Sequence, residues 1–167
     1  MFQLKPISSS GVAPALEKAE RYRLLNDPVA AESICLDVLE LEPANQDALV
    51  SLLLARTDQF SSSHGAGDAA AREVLPRLTS AYDRAYYTGL IAERRGKALL
   101  AAVRPGSQEM AWLCFRDAMD WYEKAAGLQP DGNDEAVLRW NTCARILNAH
   151  PHLAPDEAAV STPVLDD

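Results

Sequence analysis

The chain has 167 residues, 48% of them hydrophobic and 24% charged, with a formal net charge of −8 and a pI near 4.9. That balance excludes wholesale disorder, and the length suits one domain with a sizeable core. No apolar run approaches the ~20 residues of a membrane-spanning helix, and the acidic charge disfavours a protein that tracks nucleic-acid phosphates.

Ala and Leu number 28 and 22, against 13 for Val and Ile together. Helix formers outweigh strand formers, which predicts an all-α domain. Residues 1–12, with Pro6, Ser8-Ser9-Ser10 and Gly11, read as a loose lead-in. Pro14 suits the first turn of a helix carrying Ala15, Ala19 and Tyr22 and ending at Asn26-Asp27. Asp27-Pro28 opens a second helix with Ala31, Ile34, Cys35, Val38 and Leu41 on one face, stopped by Pro43. Asn45 caps a third, with Ala48, Leu49, Leu52, Leu53 and Ala55.

The Ser- and Gly-rich stretch from Asp58 to Gly67 reads as a loop. A fourth helix is expected from Asp68 to Leu78, with an irregular end at Pro76. Ser80 with Asp83 resembles a capping box and opens a long fifth helix to about Ala102. Ser107 is the expected cap of a sixth, which runs to about Leu128. A seventh, from about Asp134, carries Ala136, Val137, Trp140, Cys143, Ala144 and Leu147 on one stripe. Pro151, Pro155 and Pro163 then break up a loose acidic end, residues 150–167. The folded domain is expected over 13–149.

The helices contain a repeat. Ala31, Cys35, Val38 and Pro43 have offsets 0, 4, 7 and 12, and so do Ala118, Tyr122, Ala125 and Pro130. This resembles the tetratricopeptide repeat (TPR), whose second helix carries small, large, small and Pro at these offsets. Ala19 and Tyr22, then Gly89 and Gly96, resemble the matching positions of first helices. The resemblance spans roughly Pro14 to Leu147. It implies a right-handed α-α superhelix of about three helix pairs plus a C-terminal capping helix. Small residues let helices approach, large ones fill the adjacent groove, and stacked pairs share a core. The pattern departs from the family at an inserted Ser/Gly loop, at the extra length between Gly96 and Ala118, and at Trp140, which stands in a small-residue place as suits a terminal helix.

The resemblance also implies a concave face lined by first helices. Tyr86, Tyr87, Leu90, Glu93 and Arg94 of the fifth helix would lie on or near it; the plainer alternative packs Tyr86 or Tyr87 in the core and pairs the Arg residues with acids. Leu16, Glu20 and Arg23, then Val50, Ser51 and Leu54, then Val137, Asn141 and Arg145 would complete it. Some TPR proteins clamp acidic chaperone tails with Lys, Asn and Arg; the matching positions here are Leu16, Glu20, Ser51, Asp83 and Tyr87, which lack those side chains.

Nothing points to catalysis or to a cofactor. Ser61-Ser62-Ser63 precedes His64, but adjacency is no triad, and no phosphate-cradling loop or nucleophile elbow occurs. Glu40 and Glu42 read as solvated acids, and His150 and His152 as solvated histidines, since a closed metal site needs more ligands. Cys35, Cys114 and Cys143 are odd in number and far apart, and read as buried reduced thiols of a cytoplasmic protein. The expected function is a non-enzymatic adaptor or scaffold that binds a protein or peptide in the concave groove, with no nucleic-acid or membrane partner. The alternatives are a small acidic chaperone of a type III secretion system and a homodimeric self-assembly module.

Overall fold

The computed structural model describes residues 2–61, 67–102, 104–129 and 131–155. Among these the chain is all-helical. The helices are α1 (Val12–Leu24), α2 (Pro28–Leu41), α3 (Gln46–Asp58), α4 (Gly67–Arg72), α5 (Ala81–Ala101), α6 (Ser107–Ala126) and α7 (Glu135–Ala149), with 3-10 turns at Ser9–Gly11, Leu75–Arg77 and Pro151–Leu153. No helix among the described residues is long and apolar enough to cross a membrane.

Local chemistry places several of the ends. The Asp27, Asn45 and Ser80 side chains accept from the N–H groups of Ala30, Ala48 and Asp83, at 3.2, 2.9 and 3.1 Å. Ser107 departs from expectation. Gly106, at φ 74°, holds the N-cap position of α6, and the Ser107 hydroxyl is turned back on the carbonyls of Ala102 and Arg104. A left-handed residue is needed to reverse the chain there, and glycine supplies it without a Cβ clash. At the end of α1, Asn26 takes φ 60°, so the helix stops at Leu24 rather than at Asn26.

Hairpins α1–α2 and α5–α6 pack tightly, α3 lies against both α1 and α2, and α7 lies on α6. Two cores result. The first joins Ala19, Ala31, Cys35, Val38, Leu49, Leu52, Leu53, Ala71 and Val74 to Ile91 of α5; the second joins Ala85, Tyr86, Phe115, Ala118, Tyr122, Ala125, Ala136 and Cys143. Helix α5 is therefore the shared wall, burying different faces in each.

Small residues stand where α5 and α6 meet. A Cβ at Gly89 would stand 2.9 Å from Tyr122 Cε1, and one at Gly96 would stand 3.2 Å from the Phe115 ring. Ala31, Ala118 and Ala125 are fully buried. Glycines on α5 thus admit the Tyr122 and Phe115 rings of α6.

Several expectations are corrected. The fourth helix is only six residues, followed by a 3-10 turn at Leu75–Arg77, because Pro76 cannot continue an α-helical ladder. Asp58 ends α3 and does not belong to a loop. Ahead of residue 13, Ile7 packs on the first core and Val12 is buried. Past 149, the turn at Pro151–Leu153 packs on α6 and α7 and buries Leu153 to 1% exposure. Trp140 and Val137 are 37% and 40% exposed rather than on the buried stripe of α7. Cys114 is half-buried, whereas Cys35 and Cys143 are buried. The expectations for His64 and for residues 156–167 lie outside the described residues.

Candidate partner-binding surface

Helices α1, α3, α5 and α7 are cross-linked by two groups of polar side chains. The first centres on Asp58. Its carboxylate accepts from Arg23 Nε of α1 at 2.7 Å and from Arg94 Nη1 of α5. The same Arg94 nitrogen donates to Thr57 Oγ1 at 2.7 Å and to the Leu54 carbonyl at 3.3 Å. Thr57 is buried, and its hydroxyl donates a hydrogen bond to the Leu54 carbonyl. One carboxylate at the end of α3 therefore ties three successive odd-numbered helices together. The side chains are 19–24% exposed, so the pair is screened by solvent less than a surface ion pair.

The second group centres on Glu93, whose side chain is fully buried. Tyr122 donates to its Oε2 at 2.6 Å, and Lys97 and Arg139 approach its Oε1 at 2.5 and 3.3 Å. A buried carboxylate is tolerated only when its lone pairs are met by donors. Here one comes from α6, one from α5 and one from α7. Burial first, and Glu93 second, push the Tyr122 phenol well above its ordinary pKa, so Tyr122 stays a donor.

Tyr86 joins the second core, with its ring 5.8 Å from that of Tyr122, 5.7 Å from Tyr82 and 5.1 Å from Tyr87. Edge-on and offset contacts of this kind hold rings in place as well as burying area. Tyr87 is half-buried between the two cores, and burial raises its pKa.

The groove residues expected from sequence therefore separate. Tyr86, Leu90 and Glu93 are buried, at 7%, 1% and 0% exposure, and offer no surface to a partner in this conformation. The reason is that α5 is flanked on several sides and has little free face left. Arg23 and Arg94 are half-buried and spend their donors on Asp58. Leu16, Val50, Ser51, Leu54, Tyr87 and Asn141 are half-buried, and Glu20, Val137 and Arg145 are exposed. Asp58, Lys97, Tyr122 and Arg139 carry the cross-links and escaped the sequence reading. Only Glu93 and Lys97, four apart on one helix with the acid first, gave a local signal. Among the described residues no group of His, Cys, Asp or Glu is placed to hold a metal ion.

No family model, curated protein or solved structure matches this chain.

Proposed function

We propose that this chain is a stack of tetratricopeptide-like helix pairs, α1–α2, α3–α4 and α5–α6, capped by α7. We infer that it works without covalent chemistry as an adaptor, binding a segment of another protein across α1, α3, α5 and α7. The observation that carries the reading is the Asp58 cross-link. Arg23, Asp58 and Arg94 hold alternate helices in register, and a preformed surface loses less entropy on binding than one that must be ordered. Half-buried Leu16, Val50, Leu54 and Tyr87 beside exposed Glu20 and Arg145 supply mixed apolar and charged contacts. Such a surface suits an amphipathic helix or an extended peptide. The absence of a disulfide among Cys35, Cys114 and Cys143 fits a reducing compartment such as the cytoplasm.

The test is affinity capture with a charge-reversed double variant, Glu20→Lys with Arg145→Glu. Both positions are exposed, so the fold should survive, which circular dichroism checks. Loss of the partners recovered by wild type supports the adaptor reading; equal recovery overturns it for this face.

Self-association is a second reading, resting on exposed Val137, Leu138 and Trp140 of α7, at 40%, 62% and 37%. A monomeric sedimentation coefficient at high concentration would remove it.

A further inference from the structure

A cleft of about 650 Å³ lies on the opposite side of α5, with Leu75, Arg84, Ala85, Trp121, Lys124 and Leu128 in its wall. Positions 81, 84, 85 and 88 form one stripe of α5. Positions 83, 87, 90 and 94 form the stripe on its far side at about 3.6 residues per turn. The cleft is thus separate from the face proposed above, and its fate does not depend on that reading.

Its walls are the 3-10 turn at Leu75–Arg77, one stripe of α5 and the end of α6. Leu128, at 52% exposure, is left without cover at the rim.

Charge decides what fits. In a chain with 24 acids against 16 Lys and Arg, this cleft has two cations and no carboxylate in its wall. Neither cation is neutralised among the described residues. Arg84 donates only to the carbonyls of Leu78 and Thr79, at 2.6 and 3.0 Å. Lys124 sits 4.1 Å over the Trp121 ring and forms no ion pair. The Trp121 ring supplies apolar area in the same wall as two cations that no carboxylate pairs among the described residues, and Trp and Arg are the side chains that most often anchor an interface. We propose that this cleft docks a peptide segment of a partner protein in which an apolar side chain is flanked by Asp or Glu. The apolar side chain packs against Leu75, Ala85 and Trp121, and the flanking carboxylates meet Arg84 and Lys124.

The test is a random-peptide phage library selected on the purified full chain, followed by anisotropy titration of the recovered peptides. Recovered sequences should combine an apolar residue with Asp or Glu. Trp121→Ala should weaken their binding by on the order of tenfold or more. The double variant Arg84→Gln with Lys124→Gln, with its fold checked by circular dichroism because Arg84 also holds the Leu78 and Thr79 carbonyls, should weaken binding while flattening its salt dependence. Glu20→Lys with Arg145→Glu should leave it unchanged. Peptides without acids, binding that ignores both cleft variants, or recovery of no peptide would overturn the proposal. So would dimerisation of the wild type that Trp121→Ala abolishes, since a second copy would then be the occupant.

Discussion

The ring of Tyr122 occupies the space that a side chain at Gly89 would need: a Cβ there would stand 2.9 Å from Cε1 and 3.0 Å from Cδ1. The ring cannot move aside cheaply, because its hydroxyl is held 2.6 Å from Glu93 in a fully buried site. Alanine is a better helix former than glycine by about 1 kcal/mol, but overpacking costs about 1–3 kcal/mol. Gly89→Ala should therefore destabilise the fold by up to about 2 kcal/mol in urea unfolding. Gly96→Ala meets Phe115 at 3.2 Å and should cost less. An increase in stability at Gly89 would contradict the close approach of α5 and α6.

Tyr122→Phe keeps the ring and removes the donor to Glu93. A hydrogen bond to a charged group contributes about 1.5–3 kcal/mol, and the buried carboxylate then keeps only Lys97 and Arg139. A loss in that range is expected by chemical denaturation. In a double-mutant cycle with Glu93→Gln the loss should shrink, since the amide no longer demands a strong donor.

Asp58→Ala removes the acceptor that Arg23 and Arg94 share. Partial burial puts this link between a surface pair and a buried one, so about 1–2 kcal/mol is expected, less in high salt. Arg23→Gln and Arg94→Gln should couple through Asp58 rather than add independently. Strict additivity would mean that the three helices are not bridged by this carboxylate.

Burial lifts the Cys35 thiol to about 11, and burial with Glu93 lifts Cys143 to about 12, from an ordinary 9.0. Tyr122 is raised as well. In each case the folded state holds its proton more tightly than the unfolded chain does. Their contribution to stability is therefore complete below pH 9 and is lost as pH rises through 11 and 12. The melting temperature should fall steeply over that window, and Cys143→Ala should flatten the fall. A melting temperature constant to pH 12 would refute the burial of these thiols.

Cys114 is half-buried while Cys35 and Cys143 are buried. A thiol reagent at mildly alkaline pH should label one cysteine in the folded protein, slowly, because burial also raises the Cys114 pKa. The other two should react only on unfolding. Peptide mapping of the labelled protein identifies the site, and early labelling of Cys35 would contradict the first core.

The helices, their caps at Asp27, Asn45 and Ser80, and the contact role of Gly89, Gly96, Ala31, Ala118 and Ala125 were legible in the sequence. Each rests on an interaction within one turn of helix or on a periodicity of one helix. What one helix cannot say is which neighbour faces it or how deeply it sinks. Arg23 meets Asp58 across 35 residues, Arg94 meets Asp58 across 36, and Arg139 meets Glu93 across 46. Tyr86, Leu90 and Glu93 read as surface by position in a repeat and are buried, because α5 is walled in by both cores. The cleft at Trp121 forms where the 3-10 turn at Leu75–Arg77 meets α5 and the end of α6. Sequence alone thus determined an all-helical chain, its breaks and the positions where helices touch, through short-range sterics and hydrogen bonding. Tertiary packing decided which charges pair, which aromatics are buried and which faces stay open, because those depend on distances between segments far apart in the chain.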